Sequence, residues 1–109
     1  MSKVYRIQSK QDRTRGAYST LTSNISYSDV VNNMANEHGM NSDVHPTVGE
    51  DIGRDIEDDE HCGCGSAADL LRWFRGWIPR LLQVGYEIVV LHDVTITAVG
   101  EYQVLFTFD

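Results

Sequence analysis

The strongest constraint on the fold is where the patterned sequence lies: almost all of it follows His61-Cys62-Gly63-Cys64-Gly65-Ser66. Before that point the chain is polar, acidic and weakly patterned. After it the sequence is dense in core-forming residues. Tyr86 to His92 (Tyr-Glu-Ile-Val-Val-Leu-His) is rich in β-branched residues and reads as a central strand. Val94 to Val99 alternates with the period of a half-buried strand. Gly100-Glu101 suits a tight hairpin turn with Gly at its first position. Tyr102 to Phe108 then completes a β-meander.

A helical stretch precedes these strands. Ser66-Ala67-Ala68-Asp69 sets a hydroxyl three residues ahead of an acid, a variant of the capping box. Leu70, Leu71, Trp73 and Phe74 follow as a wide apolar face. Gly76 interrupts it, and Pro79 cannot sit inside a continuing helix, so a second short helix starts near Pro79 and ends at Gly85. Trp73 and Trp77 share a face, with Phe74 about 100° round. A regular helix cannot send all three into one core. Either the break lets them all reach it, or Trp77 stays exposed as an interface anchor. The expected core is Leu70, Leu71, Phe74, Ile78, Leu82, Ile88, Val90, Ile96, Ala98, Val104 and Phe106.

In the first half, Val4 to Gln8 alternates as a strand, with Val4 and Arg6 on one face and Tyr5 and Ile7 on the other. Ser28-Asp29 has the chemistry of a helix start, Val30, Val31 and Met34 share one helical face, and Gly39 supplies a stop. Met40 to Glu60 has no periodicity and reads as a solvated loop. It holds eight acids, half of all those in the chain: Asp43, Glu50, Asp51, Asp55, Glu57, Asp58, Asp59 and Glu60. Ile52 and Ile56 are spaced for a helical turn, which like-charge repulsion weakens. The expected organisation is one domain, 1–109, with a polar, acidic, loop-rich part (1–60) and a helix plus β-meander core (61–109). The class is α+β: an antiparallel sheet of three to four strands with helices mainly on one face.

Net charge is −7. That disfavours direct nucleic-acid binding, which requires a basic stripe. No apolar run approaches the roughly 20 residues of a membrane span. Met1 to Arg6 is no apolar signal segment, so the expected location is the cytoplasm. The two cysteines, Cys62 and Cys64, are too close in sequence for an unstrained disulfide and read as reduced thiols.

Three chemistries are open. His61, Cys62 and Cys64, with His38 and His45 upstream, carry zinc-ligand atoms, but the cysteines stand one residue apart rather than two to four. The alternative is a tight Gly63/Gly65 turn with small thiols packed beneath it. A reactive Cys64 ahead of a helix start would have a lowered pKa, which the acidic run opposes. The carboxylates Glu50, Asp51, Asp55, Glu57, Asp58, Asp59 and Glu60 form either a solubilising loop or a surface that docks on a basic groove, with Trp77 as its anchor.

Tyr5-Arg6 on the first strand, Ser66 leading into a helix, and Gly100-Glu101-Tyr102-Gln103-Val104 before the last strand resemble the three-part signature of ADP-ribosyltransferases. The resemblance implies that Arg6 holds NAD, Ser66 supplies the middle element and Glu101 polarises the ribose. Gln103 stands where the arginine-specific pattern has a second Glu. As a whole, the chain is similar in type to small phage and mobile-element proteins that antagonise host defence, anti-CRISPR proteins among them. That resemblance implies a non-enzymatic inhibitor in the host cytoplasm, with a larger host protein or nucleoprotein complex of basic surface as partner. It implies no cofactor; NAD or zinc belongs only to the alternatives.

Overall fold

Strand β1 (Val4–Ser9) runs through the middle of the molecule, and its alternation serves two cores. The computed structural model describes residues 3–17, 25–41 and 43–109, with the side chains of 25–29 and 31–32 outside that description. After β1 come α1 (Ile25–Met40), α2 (Val48–Ile52), β2 (His61–Gly63), α3 (Ala67–Trp73), α4 (Ile78–Gln83), β3 (Tyr86–Leu91), β4 (Val94–Val99) and β5 (Val104–Phe108). The expected α+β architecture is observed, with five antiparallel strands divided between two sheets.

β1 pairs with β3, Val4 opposite Leu91 and Ile7 opposite Ile88. The other sheet has the order β2-β5-β4. A reciprocal pair of backbone bonds, Tyr5 N–H to Cys64 O and Cys64 N–H to Tyr5 O, both 2.8 Å, joins the two. Gly63 makes this approach possible, because a Cβ there would overlap the Val4 side chain. One core (Ile7, Met34, Leu70, Phe74, Trp77, Leu81, Tyr86) lies between the helices and the β1-β3 sheet. The other (Val4, Leu91, Val94, Val104, Phe106) joins the far face of β1 to the β4-β5 hairpin.

The helical break behaves as the sequence predicts. Ser66 caps α3 by accepting the Asp69 N–H at 3.1 Å. Gly76 (φ 84°) and Gly85 (φ 98°) take the left-handed turns on either side of α4, where Pro79 sits in the first turn. The reorientation sends both Phe74 and Trp77 inward. Trp77 is only 5% exposed and Arg80 covers its ring, so it is a core residue and not a surface anchor.

Four expectations need correction. First, β3 is not a central strand: it pairs only with β1 among the described residues, leaving Ile88 and Val90 about two-fifths exposed at 43% and 42%. After His92-Asp93 the chain crosses into the other sheet, so β3 and β4 do not pair and the meander reduces to the β4-β5 hairpin. Second, Leu71 and Leu82 are exposed. Each short helix turns one narrow stripe inward, Leu70 with Phe74 and Ile78 with Leu81, and the next leucine lies round the helix.

Third, α1 starts at Ile25 and runs through Gly39 to Met40. The cap expected at Ser28 and Asp29, and the packing of Val31, concern side chains outside the described set. Met34 is fully buried and Val30 packs against the same core. Fourth, the acidic stretch contains α2. Thr47 and Glu50 form a reciprocal capping box (Glu50 N–H to Thr47 Oγ1, 3.2 Å; Thr47 N–H to Glu50 Oε1, 3.0 Å), and Gly53 closes the helix at φ 91°. The helix ends at Ile52, and the turn that Ile52 and Ile56 are spaced for does not form.

Candidate functional site: a cleft and its acidic border

A cleft of about 490 Å³ opens beside β1 and β2. Arg6, His61, Cys62, Trp73 and the His38/His45 pair are among its lining residues. Arg6 is 5% exposed and is held by backbone and amide oxygens. Its Nε donates to Cys62 O at 3.1 Å, and its Nη1 donates to Arg13 O at 2.6 Å and to Gln8 Oε1 at 3.3 Å. The Phe106 ring lies 5.3 Å from the guanidinium carbon. Burial lowers its pKa to about 10, which leaves it cationic at neutral pH.

The thiols are held in their neutral form. Burial pushes Cys64 up to about 12, with the charge of Asp69 adding to the effect. Cys62 is also raised by burial, against the opposing charge of Arg6. The helix start at Ser66 therefore does not activate Cys64; desolvation decides its state. His61 is lowered, first by burial and then by Arg6. Among the described residues, no group of three or more His, Cys, Asp or Glu side chains is placed to hold a metal ion.

His38 and His45 stack with ring centroids 3.8 Å apart and an interplanar angle of 8°. His45 Nε2 lies 2.7 Å from Trp73 O, and a carbonyl can only accept, so that nitrogen carries a proton. His38 is 5% exposed, and its pKa falls to about 4 through burial and then through the charge of His45. The pair thus ties α1 to the end of α3. The sequence offers both histidines only as remote zinc candidates, because the His45 N–H to Asn41 O bond that helps bring them together has no short signature.

The acidic residues divide by role. Asp51 reaches from α2 to the β4-β5 connection and accepts the N–H groups of Glu101, Tyr102 and Gln103. The connection is thus a four-residue loop, Gly100 to Gln103, closed by Gly100 N–H to Gln103 O at 2.8 Å. Gly100 does not take the left-handed backbone of the expected turn; it leaves room for the carboxylate, which a Cβ would overlap. Glu60 is 7% exposed and accepts from Arg54 (2.7 and 2.8 Å), from the Glu57 N–H and from the Thr97 hydroxyl. Thr97 is the residue at which β4 slips register against β5. Arg54, then Thr97 and the Glu57 N–H, hold the Glu60 carboxyl down to about 2. Glu50 serves its capping box, whereas Asp55, Glu57, Asp58 and Asp59 are exposed.

The three residues of the ADP-ribosyltransferase pattern are not gathered at the cleft. Arg6 lines it, Ser66 is occupied as the α3 cap, and Glu101 is exposed in the loop held by Asp51. Among the described residues, no helix is long and apolar enough to cross a membrane.

These features define a small α+β protein built on two antiparallel sheets, with a cleft and an acidic loop at its border. The chain belongs to the Bacteriophage T4 Y00F protein family, whose model matches residues 1–109, and it is therefore a phage protein. No curated protein and no solved structure matches it.

Proposed function

We propose that this phage protein is a non-enzymatic inhibitor that docks on a basic surface of a host defence complex, in the manner of anti-CRISPR proteins. One observation carries the reading: the loop from Gly53 to Asp59 is exposed throughout yet fixed at its base. It presents Asp55, Glu57, Asp58 and Asp59 around Ile56, which is 44% exposed. The buried Glu60, clasped by Arg54, and the capped helix α2 hold the two ends. A pre-organised acidic loop loses little entropy on docking, and its charge steers encounter with a basic partner. Ile56 takes the anchoring role that the burial of Trp77 removes.

The test is plaque formation by a restricted phage on bacteria that express the protein beside an active CRISPR system. The wild-type chain raises plating efficiency. The combined variant Asp55→Asn, Glu57→Gln, Asp58→Asn, Asp59→Asn loses that effect while keeping its melting temperature. Equal rescue by the variant, or no rescue by the wild type, overturns the reading.

A further inference from the structure

Arg6 is a buried cation. Among the described residues it forms no ion pair. Three acceptors occupy Nε and Nη1, and none is bonded to Nη2. Among the described residues no fully buried side-chain polar atom lacks a partner, so the unbonded Nη2 is not fully enclosed, and Arg6 lines the cleft. Burying a guanidinium is unfavourable unless opposite charge compensates it. The one carboxylate among the cleft's described lining residues, Glu60, is clasped by Arg54 and forms no ion pair with Arg6.

We infer that the cleft binds a small organic anion, its phosphate or carboxylate head on Arg6 Nη2 and a flat apolar body against Ile7 and Trp73. The volume of about 490 Å³ falls in the range of small-molecule sites. A guanidinium edge suits planar or tetrahedral oxyanions. His61, neutral at pH 7 because burial and Arg6 lower its pKa, adds a polar atom to the lining without competing for the anion. Gly16 also lines the cleft, and a Cβ there would stand 3.1 Å from Nη2. The absence of a side chain at Gly16 keeps that nitrogen accessible. This inference does not depend on the acidic loop or on any host partner.

The experiment is a titration of the ¹⁵N-labelled full chain with phenyl phosphate, benzoate and neutral benzyl alcohol, followed by amide shifts. At least one anion should bind about tenfold more tightly than the alcohol, the factor one charge-assisted hydrogen bond supplies. The shifts should centre on Arg6, Gly16 and Cys62. Tighter binding of phenyl phosphate assigns a phosphate head, and tighter binding of benzoate a carboxylate. Because Arg6 also braces the fold, the variant used is Gly16→Ala, whose methyl covers Nη2; it should weaken the anion about tenfold and leave the alcohol unchanged. No saturable shifts with either anion, equal binding of the alcohol, or undiminished anion binding by Gly16→Ala overturns the inference.

Discussion

The Asp51 carboxylate accepts the Glu101 N–H at 2.7 Å, joining a helix in the acidic segment to the loop between the last two strands. The same carboxylate also takes the next two amides, Tyr102 and Gln103. Backbone N–H groups converging on one anion form a cradle whose loss strands several donors at once. Asp51→Ala should therefore destabilise the protein by about 1–3 kcal/mol, as for hydrogen bonds to a charged group. Asp51→Asn, which keeps an acceptor oxygen, should cost less. Urea unfolding monitored by tryptophan fluorescence checks both. An unchanged midpoint for Asp51→Ala shows that the loop holds itself.

Gly63 and Gly65 flank the residue that joins the sheets, and they should respond differently to the same change. A Cβ at Gly63 collides with the buried Val4 side chain and approaches Tyr5 O at 3.3 Å. A Cβ at Gly65 meets Val104 at 3.7 Å, an ordinary contact. Gly63→Ala should cost about 1–3 kcal/mol by overpacking, and Gly65→Ala less than 1 kcal/mol, roughly. Paired denaturation curves measure the difference. Equal costs would mean that the Tyr5–Cys64 bridge tolerates a wider spacing.

Where neighbours in sequence decide the outcome, the fold was legible. Alternation marked β1 and β4, Ser66 marked the start of α3, and Gly76, Pro79 and Gly85 marked the broken helix. Thr47-x-x-Glu50 was an equally local signal, obscured because the stretch around it has no apolar periodicity. The sheet division was not local. Tyr86 to Leu91 looks like a central strand by composition, but its place at an edge depends on where β4 goes. The roles of Asp51 and Glu60 follow the same rule. A run of acids reads as one solvated feature, yet partners 50 and 37 positions away turn two of them inward. Arg6 stood out only through a family resemblance, since nothing in its sequence neighbourhood says that its charge is buried.

Glu60 and His38 give the protein two separate acid sensitivities. The folded-state pKa of Glu60 is about 2, below the ordinary carboxyl value, because Arg54, Thr97 and the Glu57 N–H favour the anion. Its stabilisation is complete above the unfolded pKa of roughly 4.3 and is lost as pH falls toward 2. Asp12, Glu50 and Asp93 shift in the same direction, so the wild-type curve alone does not isolate Glu60. The difference between wild type and Glu60→Gln does: it should be largest at pH 7, begin to shrink near pH 5 and be smallest near pH 2. A difference independent of pH shows that the carboxylate charge is not what the clasp requires.

His38 acts at higher pH. Its folded-state pKa is about 4, against roughly 6.5 when unfolded, because burial and the stacked His45 disfavour the cation. The unfolded chain therefore takes up a proton that the native state refuses. Stability from this site is present above pH 6.5 and declines as pH falls toward 4, which is the direction expected for a buried neutral histidine. In the native protein at pH 5.5, the His38 ring signals should still report the neutral form. His38→Gln should reduce the slope of the stability curve between pH 6.5 and 4 while leaving the Glu60-dependent loss toward pH 2 intact. A native His38 that titrates near 6.5 shows that water reaches the ring and that the stack does not set its charge.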